Sequence, residues 1–169
     1  MLKGGGRVAV RYSDREIAAL LGEKKPLPKN YRTRTRVRDK HGHKGRELDI
    51  TGEQGTQFRL MLRQSRFNPL DLSVILGVCP EDTNQLFRLR RYNGKSHEHS
   101  NKIEGQRFYD FHIHTATERY QELGEDEEAY AEPTDRFSAF DIALRCMLDD
   151  CAFVGPHDKQ LALLGEIGP

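Results

Sequence analysis

The sequence predicts an α+β domain: an antiparallel β-meander with a C-terminal amphipathic helix packed on one face and a short N-terminal helix. Three observations predict it. Between residues 57 and 115 the chain falls into short strand-like runs separated by Asn, Pro, Gly and Asp. After Pro133 the period changes, and Phe137, Phe140, Leu144, Met147, Leu148 and Cys151 recur as one apolar helical stripe. With 169 residues, 36% hydrophobic and 31% charged, the chain has material for one modest core inside a polar surface.

The N-terminal helix follows from Ser13-Asp14-Arg15-Glu16, a capping-box pattern, with Ile17, Leu20 and Leu21 at helical spacing and Gly22 as a stop. Residues 24 to 47 have loop composition, with Pro26, Pro28 and the basic His41-Gly42-His43 segment. Within them an extended piece over Tyr31 to Arg38 would put Arg32, Arg34, Arg36 and Arg38 on one side of a strand, as a basic stripe. Four strand runs come next: Gln57 to Gln64, Leu70 to Cys79, Gln85 to Tyr92 and Arg107 to Thr115. A helical turn runs through Tyr120 and stops at Gly124, an acidic loop covers Glu125 to Glu128, and the amphipathic helix starts from Asp135. Leu161 to Leu164 adds a final turn. The organisation is one domain over 1–169: a basic helix-and-loop arm (1–50), the antiparallel sheet (51–116) and a helical, acidic part (117–169).

Charge is segregated along the chain. Residues 1–50 carry 14 Lys or Arg against 6 Asp or Glu, a net +8, whereas residues 121–169 carry 3 against 12, a net −9. The basic end suits phosphate, and the acidic end can neutralise it within the fold. No run approaches the ~18 apolar residues of a membrane span. Gly4, Gly5, Gly6 and Arg7 have the look of a flexible terminus without a signal-peptide core, so the expected location is the cytoplasm, away from membranes. Cys79, Cys146 and Cys151 are odd in number and lack zinc-ribbon spacing, which predicts buried free thiols.

The chemistry-bearing residues concentrate between 88 and 119. Asn93-Gly94 is a strong two-residue hairpin signal; pairing Tyr92 with Lys95 sets Arg90 against His97 and Arg88 against His99. A second turn at Glu104-Gly105 sets His99 against Asp110, His97 against His112 and Lys95 against His114. If 95–104 is a flap instead, Arg88, Arg90, His112 and His114 remain on one face, because strand side chains alternate with period two. Histidines near pKa ~6.5 can act as acid and base, and arginines can hold a phosphate, so this face suits metal-independent cleavage of RNA. The expected roles are His112 and His97 as acid and base, His114 and His99 as alternates, Arg88 and Arg90 as phosphate clamps, and Tyr92 and Arg119 as substrate-positioning groups. No cofactor is expected; the alternative is a divalent metal at His97, His99, His112 and His114. A non-catalytic module that binds nucleic acid or protein through Arg32 to Arg38 is the competing class, followed by an inhibitor with an acidic, nucleic-acid-like surface.

Arg-Leu-Arg-Arg-Tyr-Asn-Gly at 88–94, His-Glu-His at 97–99 and Phe-His-Ile-His-Thr-Ala-Thr-Glu-Arg-Tyr at 111–120 resemble a bacterial and phage domain family of unknown function. More distantly they resemble the TumE-type toxins of toxin–antitoxin operons. The resemblance covers the middle third of the chain and implies a small effector acting on RNA or on a nucleic-acid process, with an antitoxin as protein partner; separately, the apolar stripe from Phe137 to Cys151 could bury against a second copy of the chain as readily as against its own sheet. His97-Glu98-His99 followed by Glu104 also resembles the first half of a cupin metal motif, but the second half is not in place.

Overall fold

The computed structural model describes residues 9–156. The glycine-rich terminus at Gly4–Gly6 and the turn at Leu161–Leu164 lie outside the described residues. The fold is α+β, as the sequence predicts. Helix α1 (Asp14–Gly22) leads to a two-residue strand β1 (Lys25–Pro26), and a single helical turn α2 (Tyr31–Arg34) leads to strands β2 (Arg38–Lys40), β3 (His43–Thr51), β4 (Gln57–Ser65), β5 (Leu72–Val78) and β6 (Phe87–Asn93). Then come β7 (His99–Asn101), β8 (Gln106–Phe108), β9 (His112–Thr115), α3 (Glu118–Glu122), β10 (Ala131–Pro133), α4 (Phe140–Asp150) and β11 (Phe153–Val154).

Among the described residues seven strands form one sheet in the order β10-β9-β6-β5-β4-β3-β2, antiparallel throughout; β7 and β8 pair with each other, and β1 pairs in parallel with β11. Alternation decides which face is dry. Leu48, Phe58, Leu60, Val74, Leu76 and Leu89 all point to one face and are buried there. Each such side chain contributes roughly 1.5–3 kcal/mol by leaving water. Helix α4 closes this face with Ala143 and Met147 buried beneath it. The capping box of α1 is formed, with the Ser13 hydroxyl accepting from the Glu16 N–H and the Glu16 carboxylate accepting from the Ser13 N–H. Among the described residues no helix is long and apolar enough to cross a membrane.

Three local expectations are corrected. Tyr31 to Arg38 is not a strand: after Pro28 the chain turns, Tyr31 N–H donates to Pro28 O and Arg34 N–H to Asn30 O, and Tyr31–Arg34 becomes α2. Arg32, Arg34, Arg36 and Arg38 therefore form no one-sided stripe. His43 is not in a mobile loop but begins β3, a nine-residue strand paired along its whole length with β4. Asn93-Gly94 is no hairpin turn, since neither residue has positive φ. Gly94 is needed there for close approach: a Cβ on it would lie 1.8 Å from the Leu70 carbonyl oxygen, and its N–H donates to Leu72 O.

Candidate metal centre

Strand β6 carries the irregularity that decides the site. Along β5, Leu76 pairs with Arg90 and the next residue, Gly77, pairs with Arg88, so β6 has one extra residue, a bulge at Leu89–Arg90. The bulge resets the alternation. Arg88, Arg91 and Asn93 face outward, while Leu89 and Tyr92 face the core, and Arg90 turns toward Tyr92 and α4. The partner strand β9 then sets His114 beside Arg91 and His112 beside Asn93. On its other edge, β10 sets Ala131 beside His114 and Pro133 beside His112.

A third imidazole comes from the β7–β8 hairpin, which is held by side chains. The Asn101 amide donates to Ala131 O at 2.7 Å and accepts from Ala131 N–H at 3.0 Å, as a neighbouring strand would. At the hairpin tip the Tyr120 hydroxyl donates to Glu104 at 2.6 Å, and Arg119 donates to the same carboxylate. So docked, His99 lies 5.2 Å from the His112 ring and 4.8 Å from the His114 ring, centroid to centroid. His112 and His114 are themselves 4.8 Å apart. One ring nitrogen from each of the three falls within 4.8 Å of the others.

Hydrogen bonding fixes the tautomers. His112 Nδ1 lies 2.7 Å from Asp110 O, and His114 Nδ1 lies 2.7 Å from Glu128 O. A carbonyl only accepts, so each Nδ1 carries the proton and each Nε2 keeps a lone pair. His99 Nε2 lies 2.9 Å from Asn101 Oδ1, the atom already accepting from Ala131, so His99 donates there and keeps its lone pair on Nδ1. Holding one ring nitrogen on a carbonyl or amide while freeing the other is how proteins orient metal-binding imidazoles. Burial, with smaller effects from the neighbouring imidazoles and Arg91, lowers the His112 pKa to about 4 against the pull of the Asp110 carbonyl. Burial and the His112 and His99 rings push His114 down further, although its bond to the Glu128 carbonyl acts the other way. Both are neutral at neutral pH, the form that ligates a cation.

Beside the cluster is a pocket of about 250 Å³ lined by Arg88, Arg91, Lys102, His99, His114 and Glu128, among others. The acidic loop predicted at Glu125–Glu128 neutralises its cations. Lys102 pairs with Glu125 at 2.6 Å, Arg88 reaches Asp126, Glu127 and Glu128, and Arg91 holds Glu128 at 2.5 Å. The Glu128 side chain is 4% exposed, and its Oε2 has no hydrogen-bond partner among the described residues. Burial raises the Glu128 pKa against the attraction of Arg91 and Arg88.

The structure brings together His99, His112, His114 and Arg88 from the expected set, and separates the rest. The expectation that the site needs no cofactor is overturned by the three converging imidazoles, a donor set suited to a metal ion. His97 is exposed at the margin, its ring 6.1 Å from His112. Arg90 is on the opposite face because of the bulge. Tyr92 is there too, wholly buried, its hydroxyl donating to Asp150 at 2.6 Å. Arg119 positions the hairpin through Glu104 and lies over the Tyr130 ring. The hairpin register also differs, with His99 opposite Phe108 instead of Asp110. Sequence reasoning missed Arg91, Asn93, Asn101 and Glu128. One signal was present: Arg90-Arg91 in a half-buried strand breaks alternation and therefore calls for a bulge.

The chain matches no protein-family model, no curated protein and no solved structure, so its chemistry rests on the residues of this centre.

Proposed function

We propose that the protein is a metal-dependent hydrolase of phosphodiesters, with RNA as the first candidate substrate. The observation that carries the reading is the convergence of three imidazoles, each offering a ring nitrogen within 4.8 Å of the others and each holding one nitrogen on a carbonyl or amide oxygen so that the other keeps its lone pair. A divalent ion held there by His99, His112 and His114 would supply Lewis acidity and an activated water. Around it the chain's own groups divide the remaining work. Arg88 and Arg91 line the adjoining pocket and offer planar donors to a phosphoryl oxygen, at the expense of their contacts with the acidic loop. Glu128, buried in the same pocket with its Oε2 unbonded among the described residues, would take and return a proton.

A structural ion is the second reading, favoured by the complete burial of His112. One experiment separates them. Protein stripped with EDTA and reloaded with Zn²⁺, Mn²⁺ or Co²⁺ is incubated with mixed RNA and with bis(4-nitrophenyl) phosphate. Cleavage should require metal, vanish in His114→Ala, and fall by roughly 10²–10⁴ in Glu128→Gln with metal binding intact. Folded, metal-loaded protein that leaves both substrates whole sinks the hydrolase and leaves the structural ion.

A further inference from the structure

Asn93 stands directly opposite His112 in the β6–β9 ladder and diagonal to His114, is 5% exposed, and plays no part in the chemistry above. Its amide nitrogen Nδ2 lies 3.3 Å from His114 Nε2 and 3.5 Å from His112 Nε2. Its Oδ1 accepts from the Ser73 hydroxyl at 2.7 Å. For metal–ligand bonds of 2.0–2.1 Å, two ligand atoms on one tetrahedral ion stand ~3.3–3.4 Å apart. The end of the Asn93 side chain is thus already at ligand spacing from two imidazole nitrogens. Only the identity of the atom at that corner needs to change.

Ser73 makes the change inexpensive. A hydroxyl donates or accepts equally well, so Ser73 donates to Oδ1 in one amide orientation and accepts from Nδ2 in the flipped one. The fixed tautomers supply the reason to flip, because both Nε2 atoms bear lone pairs and a cation between them attracts oxygen and repels an N–H. We infer that Asn93 is a fourth protein ligand of this centre, contributing its side-chain carbonyl oxygen, so that the ion is held by three imidazole nitrogens and one amide oxygen. This rests on the metal reading above and deepens it in two ways. Nitrogen and neutral oxygen donors without thiolate select divalent ions of the zinc, cobalt or manganese class over copper(I). All four donors are uncharged, so the full +2 remains, and the centre should take an anion, hydroxide or a phosphoryl oxygen, as its fifth ligand from the pocket side.

The test is metal affinity and Co²⁺ absorption on the full chain, with zinc measured by competition against a chromogenic chelator. Wild type, Asn93→Ala and Asn93→Asp are compared, and circular dichroism checks folding. Asn93→Ala should bind about 10–100-fold more weakly. Asn93→Asp keeps the shape, adds a charge, and should bind at least about tenfold more tightly, with a shifted Co²⁺ spectrum and weaker inorganic phosphate binding to the loaded protein. If wild type binds the ion while both variants keep its affinity and spectrum, Asn93 is no ligand and the three-histidine centre stands. If wild type binds no ion, both proposals fall.

Discussion

The outward face of the sheet has two halves that handle charge in opposite ways. Across β3, β4 and β5 the charged side chains stay in water and pair there, Arg59 with Asp49 at 2.8 Å and Arg63 with Asp71 at 3.0 Å. Exposed pairs of this kind contribute little. Across β6, β9 and β10 the same face buries His112, His114, Asn93 and Glu128. Burying polar groups costs stability unless every donor and acceptor is met. The second half meets nearly all of them through Asp110 O, Glu128 O, Ser73 and Asn101, and leaves Glu128 Oε2 and Arg91 Nε without partners. Density of charge in the sequence is therefore a poor guide to function here. Desolvation of polar groups marks the site.

The contrast can be broken at three points. The largest effect is expected at the joint between the halves: in Gly94→Ala the new methyl group collides with the Leu70 carbonyl, and unfolding free energy should drop by about 3 kcal/mol or more in urea titrations. A neutral outcome would mean that the β6 end is not held as described. Next comes pH. The His112 pKa in the folded state is about 4, below the ~6.5 of an unfolded histidine. The unfolded chain takes up that proton first, so the contribution is intact above about pH 6.5 and is lost as pH falls toward 4. For this one group it amounts to about 3 kcal/mol at most. Denaturation in EDTA at pH 7, 6, 5 and 4 should therefore show a shallower acid decline for His112→Gln than for wild type, and parallel curves would contradict the burial of a neutral imidazole. The smallest effects separate the halves directly. Asn101→Ala should lose about 1–3 kcal/mol, whereas Asp49→Ala on the wet half should change stability by no more than about 0.5 kcal/mol. Equal losses would erase the distinction.

The fold was largely legible because its signals are local. The capping box at Ser13, the runs that became β4 and β5, the stop at Gly124 and the stripe from Phe140 to Cys151 each announce their element within a few residues. The helix itself begins at Phe140, later than Asp135, with Phe137 buried ahead of it. β3 escaped because only Leu48 and Ile50 give it an apolar alternation; β4 supplies the rest of its order by pairing. The site was half legible. His112 and His114 two residues apart had to share a face, and Arg88 joined them. Arg90 and Tyr92 were misassigned because one extra residue in β6 inverts every parity argument that crosses it. Gly94 misled for a related reason, since a glycine required by crowding reads in sequence like one required by a turn. Glu128 and Asn101 lie far along the chain from their partners, and nothing local marks them.

The hairpin that carries His99 bonds to the rest of the molecule chiefly through the side chains of Asn101, Glu104 and Lys102 and the Ile103 N–H, with no shared backbone ladder among the described residues. Fewer backbone bonds tie it down than tie β6 to β9, so opening it should cost less than melting the sheet. Two imidazoles stand on the seven-stranded sheet and one on the separate β7–β8 hairpin. An ion held by all three would then leave at a rate set by the opening of that hairpin, so its release would be fast even where equilibrium affinity is high.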